Sequence, residues 1–193
     1  MVLKTRDRLI EVARQLFLMK GIENTTMIDI ANASENGRRT VYTYFKNKSD
    51  IYNAVIERES DFHVSGLRQI AESQLPPEEK LEKYLKLHFD MIHEDIFSHD
   101  SISAWLRLDF SRSDKIRQAV YNKETDILDS ILREGVREGI FDSEASHRLL
   151  KVLPSMLQAL SRQTLNHEKS SHSGSALSTA AFVDFIIHSV TVH

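Results

Sequence analysis

Apolar residues recur at intervals of three and four along most of this chain, and that spacing predicts one helix after another. Leu9, Val12, Ala13, Leu16 and Phe17 form a stripe on a helix over about 5–20, with Gly21 as its stop. A short amphipathic run, 27–33, leads through the polar corner Ser34-Glu35-Asn36-Gly37 into a second short run, 38–45. A longer helix over about 48–72 carries Ile51, Tyr52, Val55, Ile56 and Phe62 on one side. Pro76-Pro77 breaks the chain before a helix over 78–96 with Leu81, Tyr84, Leu85, His88, Phe89 and Ile92 inside. A shorter apolar helix follows over 101–110, and Ser113 is read as the cap of a long helix ending near 138–139. Ser143 is read as the cap of another over about 144–166, the Ser-, His- and Lys-rich stretch 167–175 as a loop, and 176–190 as the last helix. With only 6 Gly and 3 Pro, the pattern describes an all-α chain of about nine helices.

The two short runs with a corner between them are the parts of a helix-turn-helix, whose second helix lies in the DNA major groove. Val41 and Phe45, four apart, are the apolar pair of the second run and are expected to face inward. Arg38, Arg39, Thr40, Tyr42, Thr43 and Tyr44 then lie on or near the outer side. Guanidinium forks match guanine edges or phosphate oxygens, Thr bonds base edges or touches a thymine methyl, and Tyr hydroxyls suit phosphate. Thr26 with Asp29 approximates a capping box, and Asn47 with Asp50 repeats it. Lys46 and Lys48 sit beside that second helix start, where free amides also attract phosphate.

These residues give the first 60 or so positions a resemblance to the DNA-binding module of the tetracycline-repressor (TetR) family. The matching elements are Thr26, Asp29-Ile30-Ala31, Thr40-Val41-Tyr42-Thr43-Tyr44-Phe45 and Lys46-Asn47-Lys48. The family has Gly and then an apolar residue in the turn, whereas this chain has Glu35-Asn36 and places Gly one step later, at 37. The stretch 133–141, Arg-Glu-Gly-Val-Arg-Glu-Gly-Ile-Phe, also resembles a junction of that family. The resemblance implies a three-helix DNA-binding domain over 3–62, with the fourth helix shared, and a regulatory domain for ligand binding and dimerisation over 63–193. It further implies a homodimeric repressor that a small-molecule effector releases from its operator.

The last two helices support the dimer on their own account. Leu149, Leu153, Met156, Leu160, Phe182, Phe185 and Ile186 cover more of their circumference than one packing face requires, and are read as the interface between two chains. Two recognition helices related by a two-fold axis sit about 34 to 36 Å apart, so the double-stranded operator is expected to be near-palindromic. Phe62, Tyr84, His88, Met91, Trp105, Phe110, Tyr121, Met156 and Gln158 are the candidates for a mostly apolar effector pocket.

Charge sharpens the division. Overall the chain carries −3, but residues 1–50 hold nine Lys and Arg against six Asp and Glu, while all nine His and the acidic surplus lie beyond. Without cysteine there is neither a disulfide framework nor a thiolate metal site. No run is long and apolar enough for a membrane span, and residues 1–8 lack the apolar core of a signal peptide, so a cytoplasmic protein without cofactor is expected. Two other readings stand beside the ligand-released repressor. One keeps the DNA module in a ligand-independent or activating factor. The other is a helical-bundle metal enzyme, for which Glu144 with His147 and Asp90 with His93 have the spacing of ligands on one helix face.

Overall fold

The computed structural model describes residues 2–93, 114–166 and 179–192. They form eight helices: α1 (Val2–Lys20), α2 (Met27–Ala33), α3 (Arg38–Tyr44), α4 (Lys48–Glu72), α5 (Pro77–His93), α6 (Asp114–Arg137), α7 (Ser143–Asn166) and α8 (Thr179–Val190). The helix expected over 101–110, with Trp105 and Phe110, lies outside the described residues, as do the stretch 167–175 and the first residues expected of the last helix.

Two hydrophobic clusters organise these helices. In the first, the α1 stripe of Leu9, Ile10, Ala13 and Phe17 packs on Ile30 and Ala31 of α2, on Val41 and Phe45 around α3, and on Ile51, Tyr52, Val55 and Ile56 of α4. Phe17 meets the Tyr52 ring edge-on at 6.0 Å between centroids. In the second, Val64 and Leu67 of α4 join Leu81, Tyr84 and Leu85 of α5, Leu128, Ile131 and Leu132 of α6, Leu153 and Leu157 of α7, and Phe182 and Ile186 of α8. The division falls within α4, between Ile56 and Val64. A single rigid helix therefore belongs to both. At the far end of α6, Ile116 packs against the first cluster and gives the bundle a second contact with the module.

The stripe of α4 runs through Tyr52, Val55, Ile56, Glu59, Ser60, His63, Val64 and Leu67. Phe62 falls outside this stripe and is 71% exposed, contrary to its expected place on the inner side. The start of α7 differs as well. The cap is Asp142, whose Oδ1 accepts from the Ala145 amide at 2.7 Å, and not Ser143. Asp142 is held for that task because its own amide donates to the Val190 carbonyl at 2.7 Å, where a single antiparallel bridge joins Phe141 to Thr191.

The junction 133–141 has a packing explanation. A Cβ on Gly135 would lie 2.0 Å from Cδ2 of Phe141, so the Phe141 ring fills the space that only glycine leaves on α6. Gly139 takes a left-handed φ of 74°, and the amides of Ile140 and Phe141 return to the Gly135 carbonyl at 2.9 and 3.1 Å. The turn thereby tucks Phe141 into the second cluster.

Candidate nucleic-acid interface

The outward surface of α3 is built from its inward anchors. Val41 is fully buried and Phe45, just past the helix, nearly so. With that face fixed, Arg38, Arg39, Tyr42 and Thr43 point to solvent, and Tyr42 is 53% exposed. Thr40 and Tyr44 are half-buried, with Tyr44 packed against the first cluster. Thr43 donates its hydroxyl to the Arg39 carbonyl at 2.9 Å, which leaves its oxygen lone pairs and methyl for another partner. The Arg6 guanidinium lies 5.5 Å from the centre of the Phe45 ring, a contact the sequence pattern did not suggest.

Caps fix the neighbouring helix ends. The Thr26 hydroxyl accepts from the Asp29 amide at 3.1 Å, and the Thr26 amide donates to Asp29 Oδ2 at 2.9 Å, so the capping box is complete. Hydrogen bonds from the Thr26 hydroxyl and amide hold the Asp29 carboxyl below its ordinary value, against a smaller opposing effect of burial. At α4, Asn47 Oδ1 accepts from the Asp50 amide at 2.9 Å, but Asp50 returns to the amide of Lys46, at 3.0 Å, one residue earlier than a full box. Lys46 is exposed beside this turn. Lys48 is half-buried and donates to the carbonyls of Ile22 and Glu23 at 2.6 and 3.3 Å, tying the loop after α1 to the start of α4.

The turn carries out its reversal in an unusual way. The left-handed position is Glu35, at φ 56°, whereas Gly37 has φ −63° and serves as the N-cap of α3. The amides of Glu35 and Asn36 donate to the carbonyls of Asn32 and Ala31, and Glu35 pairs with Arg8 at 2.9 Å.

Behind the interface, Arg14 of α1 meets Glu59 of α4 at 3.2 Å. Burial raises the Glu59 carboxyl above its ordinary value, more than Arg14 lowers it.

The residues expected around an effector pocket are dispersed. Tyr84 and His88 are buried side by side, 4.8 Å between ring centroids. Tyr121 is half-buried with its hydroxyl 3.4 Å from Ser155 Oγ, Gln158 is half-buried, and Met156 is 41% exposed on the outer side of α7. Phe62 points away, the Met91 side chain is not among those described, and Trp105 and Phe110 lie outside the described residues. A groove of about 870 Å³ opens elsewhere, between the end of α4, the start of α5 and α6. Its lining includes Arg68, Glu72, Lys80, Asp126 and Glu134 and none of the nine pocket candidates.

The expected dimer set also divides. Leu153, Phe182 and Ile186 are buried within the chain's own second cluster, and Leu149 is half-buried against it. Met156 and Phe185, the latter 68% exposed, remain outward, joined by Val152, which was not among the candidates. The Leu160 side chain is not described. For the metal-enzyme reading, Glu144 and His147 are both exposed, and Glu144 pairs with Arg148 at 2.6 Å. The side chains of Asp90 and His93 are not described.

Comparison with known proteins bears on the same surface. Residues 9–55 match the family described as bacterial regulatory proteins, tetR family. HTH-type transcriptional regulators of Staphylococcus aureus are 39% identical over 67 residues, which are 35% of this chain and 36% of theirs. The match thus spans little more than a third of the length of those relatives. Across the whole chain, a regulator of the TetR/AcrR family from Thermobifida fusca is similar in structure, with a TM-score of 0.61 at 25% identity over 95% of this chain and 94% of that one. A regulator from Saccharomonospora viridis in complex with choline shares the fold at TM-score 0.71 and 16% identity, covering 98% of this chain and 99% of that one.

Proposed function

We propose that the chain, whose residues 9–55 match the tetR family of bacterial regulatory proteins, is a homodimeric transcriptional repressor, released from a near-palindromic operator when a small molecule binds its C-terminal bundle. The observation that carries the DNA-binding part is the outward set on α3, Arg38, Arg39, Tyr42 and Thr43, held rigid by Val41 and Phe45 beneath it. In this reading Arg38, Arg39, Thr40 and Thr43 reach base edges, the arginines also the adjoining phosphates, while Tyr42, Tyr44, Lys46 and Lys48 take phosphate and Thr26, its donors held by Asp29, fixes the helix start that meets the backbone. The protein acts in the cytoplasm, where its operator is; no described helix is long and apolar enough to cross a membrane.

The dimer is supported by the outward apolar residues Val152 and Met156 of α7 and Phe185 of α8. Exposed apolar side chains on the two C-terminal helices suit a second copy of the same surface. Effector release is supported mechanically by α4, which begins beside α3 and ends in the bundle, so that tilting it changes the separation of two recognition helices. The choline complex of the Saccharomonospora protein is a case of this fold holding a small organic cation, although that ligand is not transferred to this chain. The proposed domain division, 3–62 and 63–193, follows the two hydrophobic clusters.

Selection of bound duplexes from a random pool, repeated with Arg39→Ala and Tyr42→Ala, tests the reading. Loss of an arginine contact to a base costs about 1 to 3 kcal/mol and relaxes one position, whereas loss of a phosphate contact weakens all duplexes alike. Absence of any duplex preference over random competitor at moderate salt would refute it.

A further inference from the structure

Three side chains from three helices converge inside the second half of the molecule: His63 of α4, His88 of α5 and Glu124 of α6. One ligand atom of each lies within 4.8 Å of the other two. Both histidines are buried and Glu124 is half-buried. His63 Nε2 stands 3.2 Å from Glu124 Oε1 without hydrogen-bond geometry, and neither it nor His88 Nε2 has a hydrogen-bond partner. A buried imidazole nitrogen left unpaired costs free energy. Two of them beside one carboxylate are not explained by packing.

The surroundings hold the three groups in place. The imidazoles meet edge-on at 5.2 Å, and Tyr84 packs against His88 while its hydroxyl donates to the Glu124 carbonyl at 3.1 Å. Burial lowers the His88 pKa to about 4, with Glu124 pulling it upward and His63 adding to the depression.

We propose that His63, His88 and Glu124 are the protein ligands of a divalent transition-metal ion of zinc-like preference, with a remaining position open to water. Two imidazoles and one carboxylate favour such an ion over magnesium or calcium, which take oxygen ligands. Metal–ligand bonds of about 2.0 to 2.1 Å in tetrahedral array set the ligand atoms roughly 3.4 Å apart. The observed spread of up to 4.8 Å therefore closes by about 1.4 Å at its widest when the ion binds. Since each ligand rides on a different helix, closure draws α4, α5 and α6 together and displaces the helix that leads to α3. This last step rests on the DNA-binding reading; metal uptake does not.

The test uses the full chain, stripped with chelator and titrated with Co²⁺, reading both visible d–d absorption and metal retained after dialysis. One ion per chain with the strong absorption of four-coordinate cobalt is expected. His88→Gln and Glu124→Gln are expected to weaken binding at least about tenfold, and the exposed His147→Gln to leave it unchanged. Circular dichroism checks each variant, and Glu124→Gln, half-buried and nearly isosteric, supplies the reading if His88→Gln fails to fold. Uptake that is absent, or equal in the wild type and Glu124→Gln, overturns the site. Uptake that leaves the affinity for a selected duplex unchanged overturns the coupling to α4 and leaves the site standing.

Discussion

The N-terminal helix-turn-helix module and the C-terminal bundle are both small helical cores, yet they are specified in different ways. In the module, short-range devices dominate: a complete capping box at Thr26 and Asp29, an Asn47 cap, and a glycine stop at Gly21, all within four residues of what they fix. In the bundle, the decisive contacts join distant parts of the chain, such as Lys80 of α5 with Glu134 of α6 at 2.7 Å and Phe141 with Thr191 at the end of α8. The family match lies in the module, at residues 9–55, while the whole fold is matched by structures 25 and 16% identical. A local code tolerates little change because each residue performs one task on its neighbours. A packed bundle admits many sequences as long as volumes and faces agree.

If the bundle serves the module mainly by holding two copies at a fixed separation, breaking the outward face of α7 and α8 has the largest effect on DNA. Met156→Glu with Phe185→Glu places charges within the proposed dimer interface while leaving the buried core intact. A monomer by analytical ultracentrifugation and an operator affinity lower by about 100-fold or more are expected, with melting of the isolated subunit little altered. A dimer that persists would place the interface elsewhere.

Long-range packing in the bundle is broken next. Gly135→Ala sets a methyl 2.0 Å from the Phe141 ring, and an overpacked site of this kind is expected to cost about 3 kcal/mol in urea denaturation. Adding Phe141→Leu, which trims the ring, is expected to recover part of the loss. The corresponding change in the module, Gly37→Ala, meets nothing within 4 Å at a negative φ; loss of a favoured N-cap residue is partly offset by the reduced freedom of the unfolded chain, and a cost below about 1 kcal/mol is expected.

The local code is weighed by Thr26→Ala, which removes the hydroxyl cap of α2 and is expected to cost about 1 kcal/mol. Its pH dependence follows from Asp29, whose carboxyl is held below its unfolded value of 3.8. A depressed carboxylate contributes stability that is present above the unfolded value and is lost as pH falls through the folded one. The cost of Thr26→Ala is therefore expected to shrink in denaturation curves recorded at and below that acid range. An equal cost at every pH would mean that Asp29 does not share the cap.

The smallest effect belongs to the corner. Glu35→Gly relieves a left-handed φ of 56° but gives up the exposed pair with Arg8 and adds freedom to the unfolded chain. A net gain of about 0.5 kcal/mol is expected in thermal melts. A loss would show that the Arg8 pair outweighs the backbone strain.

How far the sequence reaches can be followed residue by residue. Thr26, Asp29, Val41, Phe45 and Asn47 declared their tasks because period and cap chemistry are local. The bounds of α2 and α4 followed directly. Phe62 misled because a single aromatic beside a stripe is indistinguishable from a member of it until the phase of a long helix is known. Ser143 misled because Asp142 owes its position to Val190, some fifty residues away. Leu153, Phe182 and Ile186 were legible as apolar but not as belonging to the chain's own core, since periodicity does not say which partner covers a face.

By itself, then, the sequence determined the helices, the caps of α2 and α4 and the surface of α3, because hydrogen bonds within a turn and a repeat of 3.6 residues depend only on neighbours. Tertiary structure alone decided that Glu35 would carry the left-handed turn and Phe141 would occupy the place beside Gly135. It also decided which apolar residues of α7 and α8 stay outward, and it brought His63, His88 and Glu124 together from three helices. The last two depend on the relative position of segments far apart in the chain, which packing fixes and local pattern does not; the first two depend on which of several local conformations the surrounding core accepts.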